Sequence, residues 1–489
     1  MGGGEEGWRR RKQQTKKDGV HQASRVPSTK RPLNLHTSFG TPFPSSIPPF
    51  SFNLCCVQHT NVPEGKLSSC AISLHFLDLQ HTSQSTTKQN THSLHPQHFA
   101  SIPYISSKFF KPSVDRSVRV MAADAGCDGG CDGWGWRLKG VEGGGKRRRY
   151  EVERCVLDLS NVQAKAAKAY DVAKNEIVVV EITHAALNHR DVWMLQGLYP
   201  EICEGSILGA DAVCVYEGEY MMVEPGIGWE DEEKGPAGSY SILGGGRFDG
   251  SFATHIGVPV EALHPLPSHL SPEEGAALPL VGLTAYRAVF TKGGLDERCD
   301  GGEGERKRVL VTGVGGGVAS LAVLFASSAG HQVYVTSSQP SKIDAAVSCL
   351  GAMGGVLYSD DDWGGEVVEM AGGMFDVVVD GAGGSGLNVC IRDVLGVGGV
   401  LVHYGATAGP PRALDTVRMF LKQIEFRGST MGSRAEFARM LSFVSAHRIT
   451  PPILHVFLLD DLPSALALMG AGSQSGKIIL QTRQQTSRL

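Results

Sequence analysis

A glycine-rich loop between a predicted strand and a predicted helix constrains the fold of this chain more than any other feature. The segment RVLVT (308–312) is apolar and β-branched, which is typical of a central parallel strand buried on both faces. The loop GVGGGVA (313–319) follows it, and SLAVLFASSAG (320–330) then predicts a helix. Strand, glycine turn and helix in this order predict a dinucleotide-binding loop, whose backbone approaches a pyrophosphate at the helix N-terminus.

The spacing of the small residues favours one register of this loop. Read as GxGxxG from Gly313, the last position is Val318, which does not match. Read as GxxGxxG/A, the three positions are Gly313, Gly316 and Ala319, and all of them match. A small third residue lets the helix pack closely on the strand, so we adopt the second register.

The segment after the loop alternates between strands and helices. The predicted strands are QVYVT, GGVLYS, FDVVVDG and GVLVHYG, and the predicted helices between them include SKIDAAVSCLG and LNVCIRDVLG. Strands that alternate with helices of this length predict a parallel, doubly wound α/β sheet. Before it, from about Tyr150, EIVVVEITHAAL and short strands separated by Gly and Pro predict a barrel-like β module.

The residues after the second strand of the sheet indicate the type of nucleotide. A free ribose 2′-hydroxyl is usually held by Asp or Glu about 20 residues beyond the glycine loop, but no carboxylate occurs between Val309 and Ile343. Ser337 and Ser338 stand at the end of this strand, and Lys342 follows. Hydroxyl donors and a cation suit a 2′-phosphate, so the sequence favours NADPH over NADH.

Composition narrows the classes of partner and the compartment. The net charge of −4 gives no basic field for nucleic acid or for an anionic membrane, and a small-molecule substrate is expected. Residues 1–120 are rich in Ser, Thr, Pro, His and Gln and poor in acids, which predicts a disordered extension or a targeting segment. Singly scattered cysteines indicate reduced thiols. We expect a cytoplasmic protein, or a plastid protein if residues 1–120 act as a transit peptide.

Six ordered blocks of the chain resemble one known family. They are LNHRDVWMLQGLYP, ILGAD, LPLVGLTAYRAVF, the GxxGxxA loop, VVVDGAGG and GGVLVHYGATAG. Together they resemble the medium-chain dehydrogenase/reductase superfamily, in particular its zinc-free, quinone oxidoreductase-like branch. The resemblance implies a chaperonin-10-like (GroES-like) β-barrel catalytic domain at 150–282, a Rossmann domain at 283–428, and a return to the catalytic domain at 429–489. It also implies a homodimer.

The resemblance also implies the residues that contact the cofactor. Thr284 is expected on the nicotinamide side, and Ser337, Ser338 and Lys342 at the 2′-phosphate, with Tyr358 on the adenine face. The remaining expected contacts lie at the ends of sheet strands and in the glycine loop: Gly313, Val314, Gly316, Gly317, Val318, Gly381, Ala382, His403, Tyr404 and Gly405.

On the substrate side the resemblance places Asn188, Asp191 and Tyr199. Asn188 is expected to donate a hydrogen bond, Tyr199 to donate a hydrogen bond or a proton, and Asp191 to orient the loop. Loop structure alone is the alternative role for each of them. Zinc-dependent relatives hold their metal with Cys and His at the positions of Asn188 and Ala210, so no metal site is expected here.

These observations predict an NADPH-dependent, zinc-independent reductase of quinones, enones or similar activated carbonyl compounds. Without a Lewis acid, reduction of a polarised double bond is more feasible than oxidation of an unactivated alcohol. Two alternatives remain open: a zinc-type alcohol dehydrogenase that uses another ligand set, and a catalytically weak NADPH-binding sensor or scaffold. The passage near Tyr220 is shorter than in the family, which puts activity in question more than fold.

Overall fold

The described part of the chain comprises residues 133–141, 149–200, 202–299, 305–472 and 475–482 of a computed structural model. These residues all lie within one compact unit, residues 98–489. The segment 1–120, predicted to be disordered or a targeting segment, lies outside the described residues.

The first part of the described chain consists mainly of antiparallel strands. Its strands are β1 (Gly133–Val141), β2 (Arg149–Leu157), β3 (Ile177–Ala186), β4 (Asp211–Tyr216), β5 (Glu219–Val223), β6 (Gly226–Ile227), β7 (Ser241–Ile242), β8 (His255–Pro259) and β9 (Leu263–Pro265). Its helices are α1 (Leu159–Tyr170), α2 (His189–Leu195), α3 (Pro272–Ala276) and α4 (Pro279–Tyr286), the last of which continues as a π-helix over Arg287–Lys292. β3 pairs with β4 and β8, β4 pairs with β5, and β5 pairs with β9.

The folded chain begins earlier than the change in composition near Tyr150 indicated. β1 pairs with β2 along its whole length, and its side chains Trp136 and Leu138 are buried. The Trp136 indole N–H donates to Leu459 O (2.9 Å), and the Leu138 N–H donates to Ser206 O (2.9 Å). β1 was missed because its glycines, charges and flanking Gly-rich segments mask the alternating pattern of a strand.

The irregular segment between β2 and β3 contains an amphipathic helix. Asp158 caps α1 by accepting hydrogen bonds from the Ser160 and Asn161 N–H groups, which helix termini otherwise leave unpaired. The helix packs on β8, where a Cβ at Gly257 would lie 2.9 Å from Ala166 Cβ. The helix α1 therefore covers the barrel at this point.

The passage near Tyr220, which is short for the family, does not interrupt the sheet. β4 and β5 are joined by Glu217 and Gly218, both with positive φ, in a tight hairpin. β5 then pairs with β9, so the short connection still lets the sheet continue to β9, its last strand on this side.

The second part of the described chain is a parallel sheet with helices between its strands. The strands are β10 (Arg308–Val311), β11 (Gln332–Ser337), β12 (Gly354–Leu357), β13 (Phe375–Asp380), β14 (Leu395–His403) and β15 (Glu425–Gly428). The helices are α5 (Gly317–Ser328), α6 (Pro340–Cys349), α7 (Trp363–Ala371), α8 (Gly386–Val389) and α9 (Thr416–Leu421). The strand order is β12-β11-β10-β13-β14-β15. The predicted doubly wound sheet is confirmed, and β10 lies at its centre with Val309, Leu310 and Val311 fully buried.

The last described segment returns to the first sheet. It contains α10 (Arg434–His447), β16 (Ile453–Leu458), α11 (Leu462–Gly470) and β17 (Lys477–Gln481). β17 pairs with β3 and with β16, which gives the sheet order β16-β17-β3-β4-β5-β9 in this part of the chain. The first residue of β17 consequently lies close to the C-terminal end of β3.

Candidate functional site

The glycine loop, residues 313–319, has the geometry of a phosphate-binding turn. Gly313 and Gly315 have φ values of 68° and 117°, which side-chain-bearing residues rarely adopt. Thr336 of β11 holds the loop, because its hydroxyl accepts from the Gly313 N–H (3.1 Å) and its carbonyl accepts from the Val314 N–H (2.8 Å). Gly316 caps α5 and is exposed, and a Cβ there would meet nothing within 4 Å. The position immediately before the first turn of α5 is therefore open.

The loop also packs tightly on its protein side. A Cβ at Gly317 would lie 3.0 Å from Val281 Cγ1 of α4, and Ala319 is buried. Ala319 is the third residue of the predicted register and is buried as close packing of α5 requires, whereas an added Cβ at Gly313 or Gly316 would meet nothing within 4 Å. Val318 is half-buried, and Val314 is buried beneath the loop.

The C-terminal end of β11 brings together three of the residues expected at the 2′-phosphate. Ser337 is buried, and its hydroxyl lies 3.4 Å from Val314 O of the glycine loop. Ser338 is exposed. The stem of Lys342 lies over Gly315, where an added Cβ would be 2.7 Å from Lys342 Cδ and 3.4 Å from Nζ. The exposed Tyr358 is nearby, since its N–H donates to Ser337 O (3.1 Å).

A buried carboxylate joins the ends of three neighbouring strands. Asp380 ends β13, and it accepts hydrogen bonds from the Thr312 hydroxyl (2.6 Å) and from the Gly383 N–H (2.9 Å). His403 at the end of β14 lies 2.9 Å from Asp380 Oδ2 through its Nδ1. His403 is one of the expected cofactor contacts and Asp380 is not, although a lone acid that ends the apolar run FDVVV is a recognisable signal.

The neighbouring expected cofactor residues pack against one another at this strand end. A Cβ at Gly381 would lie 2.4 Å from the Tyr404 ring, and one at Gly405 would lie 3.0 Å from Gly381 O. Burial raises the pKa of Tyr404, so its phenol stays protonated. Ala382 O accepts from the Ala408 N–H (2.8 Å). These residues form a closely packed wall beside the glycine loop.

Thr284 lies inside α4. Its side chain is buried, and its hydroxyl donates to Leu280 O (2.7 Å) within the helix. The sulfur of Met431 is 3.6 Å from the same hydroxyl. The expected contact of Thr284 with the nicotinamide side stays a prediction.

Asn188 belongs to a buried cluster of charged and polar groups. It is the N-cap residue of α2, and its side-chain N–H donates to Asp211 Oδ2 (2.9 Å). Its side-chain oxygen accepts from Lys477 Nζ (2.9 Å), and the same ammonium is 2.8 Å from Asp211 Oδ2. Lys477 is not among the residues expected from the sequence, where its one signal is a lysine at the start of the apolar run IIL.

Asp191, which is expected to orient the loop, contacts the backbone at the start of α2. Its Oδ2 accepts from the Asn188 N–H (2.8 Å), which fixes the start of α2. The carboxyl group is fully buried, and its Oδ1 has no hydrogen-bond partner. Burial raises the pKa of Asp191 to about 6, and the nearby Asp211 adds to this effect, while Arg190 and Lys477 oppose it.

The Tyr199 ring makes its cation–π contact with Arg190 and not with the Asn188 cluster. Its half-buried ring is covered by the guanidinium of Arg190, whose Cζ is 4.8 Å from the ring centroid. Arg190 is itself buried and donates from Nη1 to Leu243 O (2.6 Å). The structure therefore brings Asn188 and Asp191 together, and connects Tyr199 to them through the Arg190 side chain of α2.

The histidines of the barrel have structural surroundings. His184 is buried 3.4 Å from Glu273 Oε1, and burial lowers the pKa of both His184 and His189. His255 Nδ1 is 3.0 Å from the Thr254 hydroxyl. No group of three or more His, Cys, Asp or Glu side chains suited to a metal ion occurs among the described residues.

Comparison with known proteins gives relatives for most of the described chain. A family model for zinc-binding dehydrogenases matches residues 317–446. The zinc-type alcohol dehydrogenase-like protein YogA of Leptosphaeria maculans is 35% identical over 333 residues, which cover 62% of this chain and 90% of that protein. Acryloyl-coenzyme A reductase of Metallosphaera sedula is 25% identical over 329 residues, covering 62% and 92%. A solved NAD-dependent alcohol dehydrogenase has a TM-score of 0.57 at 30% identity, covering 63% and 92%.

The two sheets, the glycine loop and these relatives define the class of the protein. The chain belongs to the medium-chain dehydrogenase/reductase superfamily and is an oxidoreductase of that family. Within the superfamily it is similar to the zinc-type alcohol dehydrogenase-like proteins. The predicted fold class and family are thereby confirmed. In the part of the chain that the structure describes, no helix has the length and apolar character required to span a membrane.

The residues present fit a nicotinamide dinucleotide. Gly315 adopts a φ of 117° in the loop, and the exposed Gly316, where an added Cβ would meet nothing within 4 Å, leaves room for a phosphate before α5. The strand ends with Ser337, Asp380 and His403 lie along the same edge of the parallel sheet, where open α/β sheets bind their ligands.

Proposed function

We propose that the protein is an NADPH-dependent, zinc-independent reductase that transfers hydride to a quinone, an enone or a similar activated carbonyl compound. When bound, the dinucleotide supplies the hydride. The names of the relatives support a reductase or dehydrogenase, and acryloyl-coenzyme A reductase acts, by its name, on an activated double bond.

One observation carries the choice of NADPH. The exposed Ser338 directly follows β11, the Lys342 ammonium lies next to the glycine loop, and no carboxylate occurs from Val309 to Ile343. A 2′-phosphate would meet a cation and hydroxyl donors there, while a 2′-hydroxyl would lack its usual acidic partner.

The chemistry of the Asn188 cluster supports zinc independence. In zinc-dependent relatives the positions of Asn188 and Ala210 carry metal ligands. Here an amide and a methyl group replace them, and the ammonium of Lys477 lies 2.9 Å from Asn188 Oδ1. A second cation next to this ammonium would be repelled, so the donor set does not suit Zn²⁺.

On the substrate side, Asn188 and Tyr199 are proposed to stabilise the oxygen of the acceptor. The side-chain oxygen of Asn188 accepts from Lys477, and one of its two side-chain N–H groups donates to Asp211. The second side-chain N–H is left to donate to the acceptor. Such a donor would stabilise charge that develops on an enolate oxygen. Asp191 positions Asn188 through its backbone N–H.

The test measures NADPH and NADH consumption by the full chain with a panel of quinones and enones, together with the zinc content of the same preparation. Saturable consumption of NADPH without stoichiometric zinc is expected. Stoichiometric zinc would favour the zinc-type alcohol dehydrogenase, and tight NADPH binding without oxidation would favour a sensor or scaffold. Saturable use of NADH with none of NADPH would contradict the choice of nucleotide.

A charge-reversal variant tests the observation that carries the proposal. Lys342→Glu should weaken NADPH binding roughly 10- to 100-fold, because a charge-assisted hydrogen bond contributes about 1.5–3 kcal/mol, and should leave NADH binding little changed. Lys168→Glu is the matched control, since Lys168 is exposed on α1. Equal loss of NADPH and NADH binding in Lys342→Glu would contradict a 2′-phosphate contact.

A further inference from the structure

Lys477 is a buried lysine between the barrel and the glycine loop. Its side chain is 4% exposed, and its ammonium contacts Leu187 O (2.8 Å), Asn188 Oδ1 (2.9 Å) and Asp211 Oδ2 (2.8 Å). An ammonium has three N–H donors, and each of these contacts takes one. Lys477 therefore has no hydrogen left to offer a substrate, and any part it has in the reaction is exerted through its partners.

Both oxygens of the Asp211 carboxylate also accept hydrogen bonds. Asp211 is fully buried, and its Oδ1 accepts from the Leu280 N–H at the start of α4 (2.8 Å). Its Oδ2 accepts from both Lys477 and Asn188. A buried ion pair is tolerated only with such additional hydrogen bonds, and removing one partner leaves an uncompensated charge.

The cluster fixes the side-chain amide of Asn188 in one orientation. Its oxygen faces the ammonium of Lys477, and its nitrogen faces the carboxylate of Asp211. A flipped amide would turn the nitrogen toward the cation and the oxygen toward the anion, which is electrostatically unfavourable on both sides. The direction of the remaining Asn188 N–H is consequently set by the ion pair.

The same residue connects this cluster to the glycine loop. The N–H of Gly476, which precedes Lys477, donates to Gly315 O (3.1 Å). The stem of Lys477 also packs on the loop, since a Cβ at Gly317 would lie 3.1 Å from Lys477 Cδ. On the barrel side, the Leu187 N–H donates to Ile478 O (2.9 Å). The start of β17 therefore contacts the Asn188 loop, residues 187–191, and the glycine loop simultaneously.

We propose that Lys477 is a positioning residue that orients the Asn188 amide and holds the Asn188 loop at a fixed distance from the glycine loop. The effect of Lys477 on catalysis rests on the proposed reductase function, in which Asn188 donates to the acceptor oxygen. The coupling between the two loops does not rest on that function, because it exists without turnover.

The first measurement does not depend on activity. Hydrogen–deuterium exchange of the full chain is compared between wild type and Lys477→Met, which removes the ammonium and keeps most of the stem. Faster exchange in both the Asn188 loop and the glycine loop is expected. Lys165→Met is the matched control, because Lys165 pairs with Asp249 on the surface and should leave both loops unchanged. Unchanged exchange in the Asn188 loop of a folded Lys477→Met protein would overturn the proposal.

A second variant guards against a folding defect. Lys477→Met leaves Asp211 buried without its cation, whereas the double variant Lys477→Met, Asp211→Asn removes both charges and should fold more readily. It keeps the packing but no longer orients the Asn188 amide. The same faster exchange in the Asn188 loop is expected, and wild-type exchange in this double variant would overturn the proposal.

The third measurement separates positioning from general structural support. Lys477→Met should lower kcat/KM for the acceptor roughly 10- to 100-fold, as expected for a misplaced reacting group. In an Asn188→Ala background the same change should have little further effect on kcat/KM, because the group that it positions is gone. Additive losses would overturn the proposed action through Asn188. If Lys477→Met alters exchange in the two loops but the wild-type protein shows no turnover, the proposed function fails while the coupling between the loops stands.

Discussion

At the scale of the residue, the site depends on carboxylates whose surroundings differ. Asp211 and Asp380 each accept several hydrogen bonds in the buried interior. Asp191 accepts one, from the Asn188 N–H, and keeps an unpaired Oδ1. An unpaired buried oxygen favours the protonated form, and burial raises the pKa of Asp191 to about 6.

Asp191 predicts a specific pH dependence of stability. Its folded-state pKa of about 6 lies above the ordinary value of 3.8, so the folded protein holds this proton more tightly than the unfolded chain. The stabilising contribution is present below the ordinary pKa and is lost as the pH rises through about 6.

Asp191→Asn should remove this pH dependence, since an amide oxygen can still accept from the Asn188 N–H. The free energy of unfolding of the variant, relative to wild type, should rise between pH 4 and pH 6 by up to about 3 kcal/mol. Chemical denaturation at several pH values measures this difference. Parallel pH profiles of the two proteins would contradict it.

At the scale of the element, the glycine loop joins β10, α5 and β11 in a conformation that requires glycine at Gly315. With φ at 117°, an added Cβ is strained, and it would also lie 2.7 Å from Lys342 Cδ. Gly315 is not one of the three positions of the register predicted from the sequence, which are Gly313, Gly316 and Ala319. The requirement for glycine at Gly315 comes from the backbone φ of 117°, since the flexible Lys342 stem that lies over the loop can move aside.

Gly315→Ala should weaken dinucleotide binding roughly 10- to 100-fold. The alanine would strain the backbone by about 1–3 kcal/mol, and the loop would relieve this strain by moving out of the conformation that binds the dinucleotide. Gly470→Ala is the control, since this residue at the end of α11 has no positive φ and nothing within 4 Å of an added Cβ. Fluorescence titration with NADPH gives both dissociation constants. Equal values for the two variants would show that the loop tolerates a side chain.

A second connection between elements is the buried ion pair Arg287–Glu436. Arg287 continues α4, Glu436 lies in the first turn of α10, and the Nη1 of Arg287 is 2.7 Å from both carboxylate oxygens. Arg287 also donates to Glu233 O, and its Cζ lies 4.5 Å from the Trp229 ring centroid. The pair therefore joins the helix that precedes the parallel sheet to the helix that follows it.

Glu436→Gln should lower the free energy of unfolding by about 3–5 kcal/mol, because it leaves the buried guanidinium without its counter-charge. Glu425→Gln is the matched control in an exposed pair with Arg427, and it should cost less than about 1 kcal/mol. Denaturant midpoints of the two variants provide the comparison. A similar small loss in both would mean that the buried pair contributes no more than a surface pair.

At the scale of the whole molecule, both the beginning and the end of the described chain complete the barrel. β1 contributes Trp136 and Leu138 to the barrel core, and β17 pairs with the central strand β3. Trp136 also bonds to Leu459, which lies 323 residues further along the chain. The barrel is thus assembled from segments on both sides of the parallel sheet.

Trp136→Ala should destabilise the protein by about 3–5 kcal/mol, as expected for a large side chain removed from a packed core. Val156→Ala in the paired strand β2 is the control, because Val156 is half-exposed and should change stability by less than about 0.5 kcal/mol. Thermal and chemical unfolding measure both. Equal stability of the two variants would imply that β1 is not part of the cooperative fold.

The sequence determined the features that depend on short-range pattern. The β-branched run before Gly313, the glycines themselves and the alternation after them specify a parallel sheet with a dinucleotide loop, because each element has its own periodicity and turn residues. The Ser337, Ser338 and Lys342 group was equally recognisable, because all three stand within a few residues of one strand end.

Only the tertiary structure decided how the substrate side is built. Lys477 lies 289 residues from Asn188 along the chain, and β17 brings it to the end of β3 by pairing across the first sheet. Its ammonium and the Asp211 carboxylate both hydrogen-bond to the Asn188 amide. Asn188 is therefore held in one orientation, whereas the sequence alone presented it as a free donor. Contacts between distant segments depend on the packing of whole sheets, and no local pattern of residues encodes them.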